Sequence, residues 1–372
     1  MIINNRLQEW VEENNITGDY QAGFKKGYST TDHMFTLLAL VQKQFSYNRK
    51  FYVAFIDFEK AFDSINRNLL WPILLKNGIK GKLFNCIRSM YDVVKARVRC
   101  GGKLTDSIKC TAGLRQGDAC SPVLFSLFIN ELAIEIINNG RHGAMLSLDA
   151  FELFILLLAD DVILMSETVI GLQTQLKNLH RMAVSLELKV NMNKSNIIVF
   201  RKGGYLSARE RWLYDGSAMP VVNAYKYLGI LFSTRLSFVG ACKDLASRAK
   251  NVLLCVIRTL YSVNNNSFAV FIKLFDSQIQ PMVQYGAELW GLDKAALHCE
   301  SVHTFALKKF LRVESPTPND LVYGETNRYP IYINAIVKCI RYWLKILEMD
   351  DQRIPRKAYN MLYDLDMRGK DN

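Results

Sequence analysis

Apolar positions recur along this sequence in two rhythms, one helical and one extended, and the switch between them marks most element boundaries. A turn at Ser29 leads into a predicted helix over 31–45, with Phe35, Leu38 and Val41–Gln42 on one side. The run FYVAFIDF at 51–58 is aromatic and β-branched and reads as a buried strand. Helices follow at about 66–76, ending at Asn77-Gly78, and at about 80–92. Alternation over 93–112 around Gly101-Gly102 predicts a β-hairpin. Ser121-Pro122 reads as the cap and first position of a long apolar helix reaching about Asn138.

A second apolar strand at about 152–158 meets Ala159-Asp160-Asp161 and resumes as VILM, which predicts another hairpin. Thr168 can cap the next helix, whose Leu172, Leu176, Leu179, Ala183 and Leu186 share a face. Short strands are predicted at 195–201 and 225–232. From about residue 238 the rhythm is helical, through 240–262, 267–283, 295–312 and 331–348, with breaks at Asn264-Asn265-Asn266 and Ser315-Pro316-Thr317-Pro318. The composition shift near residue 233 separates an α+β region from an all-helical one.

Charge narrows the classes. The 372 residues hold 47 Lys and Arg against 35 Asp and Glu, a net charge of +12, which favours a polyanionic partner. Hydrophobic residues at 50% and charged residues at 22% exclude wholesale disorder. The N-terminal MIINNRLQEWVEENN is amphipathic and carries no export signal, and the apolar run 151–159 is about half the ~20 residues a membrane helix needs. No membrane partner is expected. The eight scattered cysteines lack a C-x-x-C pair and read as reduced core thiols of an intracellular protein; His298, Cys299 and His303 have no second ligand pair to support zinc.

The acidic residues are unusual in their placement. Asp57 closes one apolar strand, and Asp160-Asp161 sit in the turn of an apolar hairpin. Carboxylates so near buried strands are expensive unless paired or metal-bound. Two strand-borne aspartates facing each other across a sheet can hold two Mg²⁺ ions roughly 3.5–4 Å apart for phosphoryl transfer. An Asp-Asp pair also makes an ordinary tight turn.

The neighbouring blocks decide between those readings. FIDFEKAFD (55–63), LRQGDACSPVLF (114–125), LADD (158–161), NMNKS (191–195) and YLG (227–229) occur in the order of motifs A to E of reverse transcriptases, which they resemble. The flanking QAGFKKGYSTTDHMFTL (21–37) and IQPMVQYGAELWG (279–291) are similar to those of non-LTR (LINE-type, jockey-like) retrotransposon polymerases.

The resemblance implies roles, position by position. Asp57 and Asp160 would be the principal metal ligands and Asp161 the second carboxylate of the turn, with a backbone carbonyl of Ile56 or Phe58 adding a ligand. Mn²⁺ would substitute for Mg²⁺. Phe62 corresponds to the steric gate that rejects a 2′-OH, although the same spacing suits an ordinary core phenylalanine. Phe58, Gln116 and Gly117 would line the nucleotide. Lys194 matches a proton donor to pyrophosphate, or is simply a solvated lysine at a strand start. Tyr227, Leu228 and Gly229 would form the primer grip, or only a hydrophobic hairpin. Leu158 replaces the aromatic residue usual before Ala-Asp-Asp.

Independently of the resemblance, Lys95, Arg97 and Arg99 alternate with Ala96, Val98 and Cys100, so one strand face is basic and the other apolar. With Lys103, Lys109 and Arg115 this stripe suits a phosphate backbone, or a lysine-protected edge strand. Lys243, Arg248, Lys250 and Arg258, and separately Lys308, Lys309 and Arg312, add basic clusters in the helical region.

The expected fold is α+β: a right-hand polymerase palm of antiparallel strands and packed helices, with partial fingers and an all-helical thumb. The expected division is an N-terminal fingers or entry segment (1–50), a palm with an inserted fingers part at about 66–115 (51–232), and a helical thumb with C-terminal extension (233–372). The family's Arg- and Lys-bearing fingers segment lies ahead of residue 1, which implies an incomplete triphosphate grip. The implied activity is RNA-directed DNA polymerisation from dNTPs, with an RNA template and a DNA primer or target, in the nucleus after a cytoplasmic ribonucleoprotein stage. A silent retroelement remnant that only binds nucleic acid is the alternative. Group II intron and telomerase-like polymerases fit the 21–37 and thumb blocks less well.

Overall fold

The computed structural model describes residues 1–146, 151–264 and 266–369, so Asn265 of the expected Asn264–Asn266 break lies outside the described residues. The chain forms two compact units. The first gathers Met1–His33, Gln42–Val222 and the residues from Asp364 onward; the second gathers Met34–Val41 and Asn223–Tyr363.

A four-stranded antiparallel sheet organises the first unit, in spatial order Asn196–Phe200, Phe51–Ile56, Asp161–Ser166, Ile155–Leu158. Every residue of Phe51–Ile56 is buried, so both faces of this central strand are covered and no polar alternation survives in its sequence. Its register runs from Tyr52↔Ser166 to Ile56↔Val162 on one side and from Phe51↔Phe200 to Phe55↔Asn196 on the other. Tyr52, Ala54 and Ile56 share one core with Leu124 and Phe128 of helix Ser121–Asn139 and Leu172 and Leu176 of helix Val169–Ser185. Thr168 caps the latter helix through the Gly171 N–H, as its position predicts. Ser121 does not cap the former: its hydroxyl donates to the Arg115 carbonyl at 2.7 Å, and Cys120 occupies the cap position without a side-chain bond. Helix Ser121–Asn139 is long and apolar enough to cross a membrane, but it is mostly buried in this core.

The predicted hairpin at 93–112 forms, as two short antiparallel ladders. Lys95↔Lys109 and Ala96↔Ile108 make one, Arg99↔Leu104 and Cys100↔Lys103 the other. The register slips by one residue between them, which is a bulge and twists the ribbon. The expected apolar face is not buried: Val98, Leu104 and Ile108 are all exposed. The thiols also divide more evenly than expected, with Cys86, Cys100 and Cys255 exposed and Cys120, Cys242 and Cys299 buried. A small hairpin, Leu213–Tyr214 with Ser217–Ala218, was not anticipated.

The second unit opens with a hairpin, Ala224–Tyr227 against Ile230–Ser233, and continues in helices including Val239–Ser262, Ala296–Leu311 and Ile331–Glu348. The helix expected over 267–283 is interrupted by a π-helical turn, Phe275–Ile279, ahead of Pro281. Pro281 has no N–H to donate, so a wider turn here sacrifices less. Helices Asn319–Thr326 and Ile354–Met367 were not anticipated.

Arg67 ties the inserted hairpin to the first unit. It is 9% exposed and donates to the carbonyls of Gly113 at 2.8 Å, Ala112 at 2.9 Å, Cys110 at 3.0 Å and Tyr91 at 3.4 Å. Burial pulls its pKa below the usual guanidinium value. Replacing it strands several carbonyls, so Arg67→Met is expected to cost about 2–4 kcal/mol in urea unfolding. Arg67→Lys should recover only part of that, because an ammonium cannot span the same fork of acceptors.

Candidate active site

Register places the acidic residues together. Continuing the Ile56↔Val162 pairing by one step sets Asp57 across from Asp161, at the end of the sheet where Leu158 pairs with Asp161 around Ala159-Asp160. Ala159 adopts φ +55°, which closes this two-residue turn. Asp57 is half-buried, whereas Asp160 and Asp161 are exposed. The backbone of Asp57 is held from behind by the 191–195 block. Its N–H donates to Ser195 Oγ at 3.0 Å, and its carbonyl accepts from the Asn191 N–H at 2.7 Å. Ser195 is fully buried. Sequence reasoning gave neither Asn191 nor Ser195 a role; polar side chains beside a strand-end aspartate are the signal that was there.

Lys194 of that block is exposed, and its Nζ stands 3.8 Å from Asp57 Oδ2. A lysine this loosely paired can swing to another anion. Asp161 remains open to solvent on one side, yet partial desolvation of its carboxyl, then the charges of Asp160 and Asp57, push its pKa up to about 6. The negative potential and the hard oxygen donors fit a divalent cation. Among the described residues no three acidic, imidazole or thiol side chains are already drawn together as a metal cluster, so ion binding would need rotation of these carboxylates on their fixed backbones.

Phe62 lies beside this turn region on a platform of rings. It stacks on Phe125, with centroids 4.1 Å apart and planes 14° apart. Leu114 N–H donates to the Phe62 carbonyl at 2.9 Å, which seats the 114–118 loop on the 57–63 segment. Gly113 permits that close seating: its φ is +79°, and a Cβ there would stand 2.6 Å from the Asp63 carbonyl oxygen. Gln116 Nε2 reaches Asp63 Oδ1 at 3.2 Å and is exposed, as is Gly117. Gly117 is required by its φ of +82° rather than by a close neighbour, since a Cβ there would meet open space. Arg115 lies over the Tyr91 ring, off the hairpin strands. Lys95, Arg97 and Arg99 are exposed on the hairpin.

Two expected contact residues are interior. Phe58 is 4% exposed and packs in the sheet core, so its side chain cannot line a nucleotide. Tyr227 is 2% exposed, so its side chain is not available to a primer. Leu228 at φ +46° and Gly229 at φ +85° form the turn of its hairpin, and the Tyr285 hydroxyl donates to the Leu228 carbonyl at 2.8 Å.

The raised pKa of Asp161 has a stability consequence in metal-free protein. A carboxyl held above its unfolded value favours the fold below about pH 4 and loses that advantage as pH rises through about 6. Asp161→Asn should therefore raise Tm at pH 7.5 but not at pH 4, by no more than about 1 kcal/mol equivalent after solvent screening. Thermal unfolding at the two pH values checks it.

The sequence matches the family described as reverse transcriptase (RNA-dependent DNA polymerase) over residues 1–232. The probable RNA-directed DNA polymerase from transposon BS of Drosophila melanogaster is 25% identical over 302 residues, covering 78% of this chain and 32% of that protein. The RNA-directed DNA polymerase from mobile element jockey of Drosophila funebris is 22% identical over 324 residues, covering 84% and 34%. The chain thus spans about a third of the length of these curated relatives. A solved telomerase from Candida albicans, in complex with a fragment of telomeric RNA, is similar in fold at a TM-score of 0.54 and 11% identity, over 96% of this chain and 55% of that one. With the palm sheet, its strand-end aspartates and the ordered motif blocks in place, the chain belongs to the reverse transcriptase family, alongside the polymerases of non-LTR retrotransposons.

Proposed function

We propose that this chain carries the polymerising core of an RNA-directed DNA polymerase of a non-LTR retrotransposon. The observation that carries the reading is the meeting of Asp57, Asp160 and Asp161 at one end of a buried antiparallel sheet. Asp57 and Asp160 would hold two Mg²⁺ ions, or Mn²⁺, with Asp161 adjoining. Metal held there would supply charge stabilisation for the attacking and leaving oxygens in nucleotidyl transfer from a dNTP to a primer 3′-OH.

The chain's own residues divide the remaining work. Phe62, held flat on Phe125, stands under the sugar and excludes a 2′-OH. Gln116 and the Gly117 turn offer amide and backbone groups to the nucleotide and template. Lys194 reaches the leaving group from its loose pairing with Asp57 and gives it a proton. Leu228 and Gly229 support the primer, and the exposed arginines and lysines of the 95–109 hairpin hold phosphates of the RNA template. A DNA target places this work in the nucleus, after a ribonucleoprotein stage in the cytoplasm.

Primer extension on an RNA template with dNTPs and Mg²⁺ tests the reading, wild type beside Asp160→Asn. Extension that falls by at least about a hundredfold in the variant is expected; equal extension by both would remove the aspartates from the chemistry. Extension by neither, with primer–template still bound, would leave a nucleic-acid-binding remnant in its place. For the hairpin, neutralising Arg97 and Arg99 together should flatten the dependence of log K on log[salt] for single-stranded RNA by about 1.4. An unchanged slope, read by fluorescence anisotropy, would return both residues to a solvated edge.

A further inference from the structure

The segment Gln21–Phe24 touches both the aspartate-bearing turn and the gate ring. Gln21 forms a parallel bridge with Leu157, fixed by Leu157 N–H to the Tyr20 carbonyl at 2.8 Å and Ala22 N–H to the Leu157 carbonyl at 3.0 Å. The Gln21 side chain is fully buried, and its Oε1 accepts from the Gly23 N–H at 2.9 Å. Gly23 is thereby seated on the turn: a Cβ there would stand 2.5 Å from the Ala159 nitrogen. Phe24 follows at φ +59°, a left-handed conformation that is strained for an aromatic residue. Its ring stands edge-on to Phe62, with centroids 6.5 Å apart and planes at 90°.

Burial does not account for this phenylalanine, because it is 48% exposed. The contact with Phe62 does. Stacking on Phe125 fixes one face of the Phe62 ring but still allows the ring to slide across that face, and an edge contact opposes sliding. We propose that Phe24 is a specificity-determining positioning residue, which holds Phe62 where its ring excludes a 2′-hydroxyl. This rests on the reading of Phe62 as the sugar gate. Gly23 sets the place from which Phe24 acts, so the gate is positioned relative to the same turn that bears Asp160 and Asp161. Sugar discrimination depends on that registration, since a displaced ring relaxes the contact that would oppose a 2′-oxygen.

The test compares UTP and dTTP affinities by equilibrium competition on the full chain with primer–template and Mg²⁺, so that turnover is not needed. Phe24→Ala should move the affinity ratio toward UTP by roughly 2- to 10-fold, the range an aromatic pair contributes. Phe24→Tyr, which keeps the ring edge, should stay near wild type. In a Phe62→Ala background Phe24→Ala should change the ratio no further. Phe24→Gly removes the ring while easing the positive φ, so it should melt above Phe24→Ala yet show the same ratio. That pairing separates the ring's effect from any loss of fold. If Phe62→Ala shifts the ratio and Phe24→Ala does not, or if Phe24→Ala acts equally without Phe62, the inference is overturned and the gate stands. If Phe62→Ala leaves the ratio unchanged, or the chain binds neither nucleotide, the gate reading fails and this inference with it.

Discussion

The buried sheet of the first unit holds three carboxyl groups together at one of its ends. Carboxylates repel, and partial burial of the Asp161 carboxyl, with the charges of Asp160 and Asp57 added to it, raises its pKa. Left to side-chain preference alone they would separate. What holds them is the pairing of Phe51–Ile56 with Asp161–Ser166, a ladder buried on both faces and backed on its other edge by Asn196–Phe200, where close packing of the side chains fixes the register. The hydrophobic core thus supplies the free energy that concentrates charge, and a divalent cation is the natural complement of the result.

Around that ladder the polar groups serve geometry rather than stability alone. Ser195 and Asn191 fix the Asp57 backbone from the side opposite the turn, so its carboxylate can move while its Cα does not. Arg67 gathers the carbonyls of the loop that follows the inserted hairpin, and Leu114 joins that loop to Phe62. The outcome is a rigid frame of backbone bearing a few exposed, rotatable groups: Asp160, Asp161, Lys194 and Gln116. Such a division suits a site in which reacting groups must adjust to an incoming nucleotide without disturbing one another's placement. The hairpin of the second unit repeats the pattern on a smaller scale, with Tyr227 buried and the two turn residues Leu228 and Gly229 only half-buried.

Much of this was legible in order along the chain. The solid apolar run at 51–58, the hairpin split by Ala159-Asp160-Asp161 and the Thr168 cap are local signals, and each formed as its residues dictate. Local signals failed where a tertiary partner competed for the same group. Ser121 looks like a helix cap, but its hydroxyl is taken by the Arg115 carbonyl. Phe58 and Tyr227 stand in blocks expected to contact nucleotide and primer, yet both side chains are drawn into core. The alternating stripe at 95–100 separates basic from apolar residues, and both kinds stay exposed on the hairpin.

The sequence by itself determined the order of the motif blocks and the place of the aspartates at apolar strand ends, because both are written in one dimension. Tertiary structure alone decided how those residues are held. The backbone bonds to Asp57, the seating of Gly113 on Asp63 and of Gly23 on Ala159, and the rings that flank Phe62 all join residues far apart in the chain. No local rhythm encodes such contacts. They arise only when burial of the whole sheet brings distant segments within bonding distance, and a glycine's missing side chain or a serine's hydroxyl acquires meaning from the neighbour it then meets.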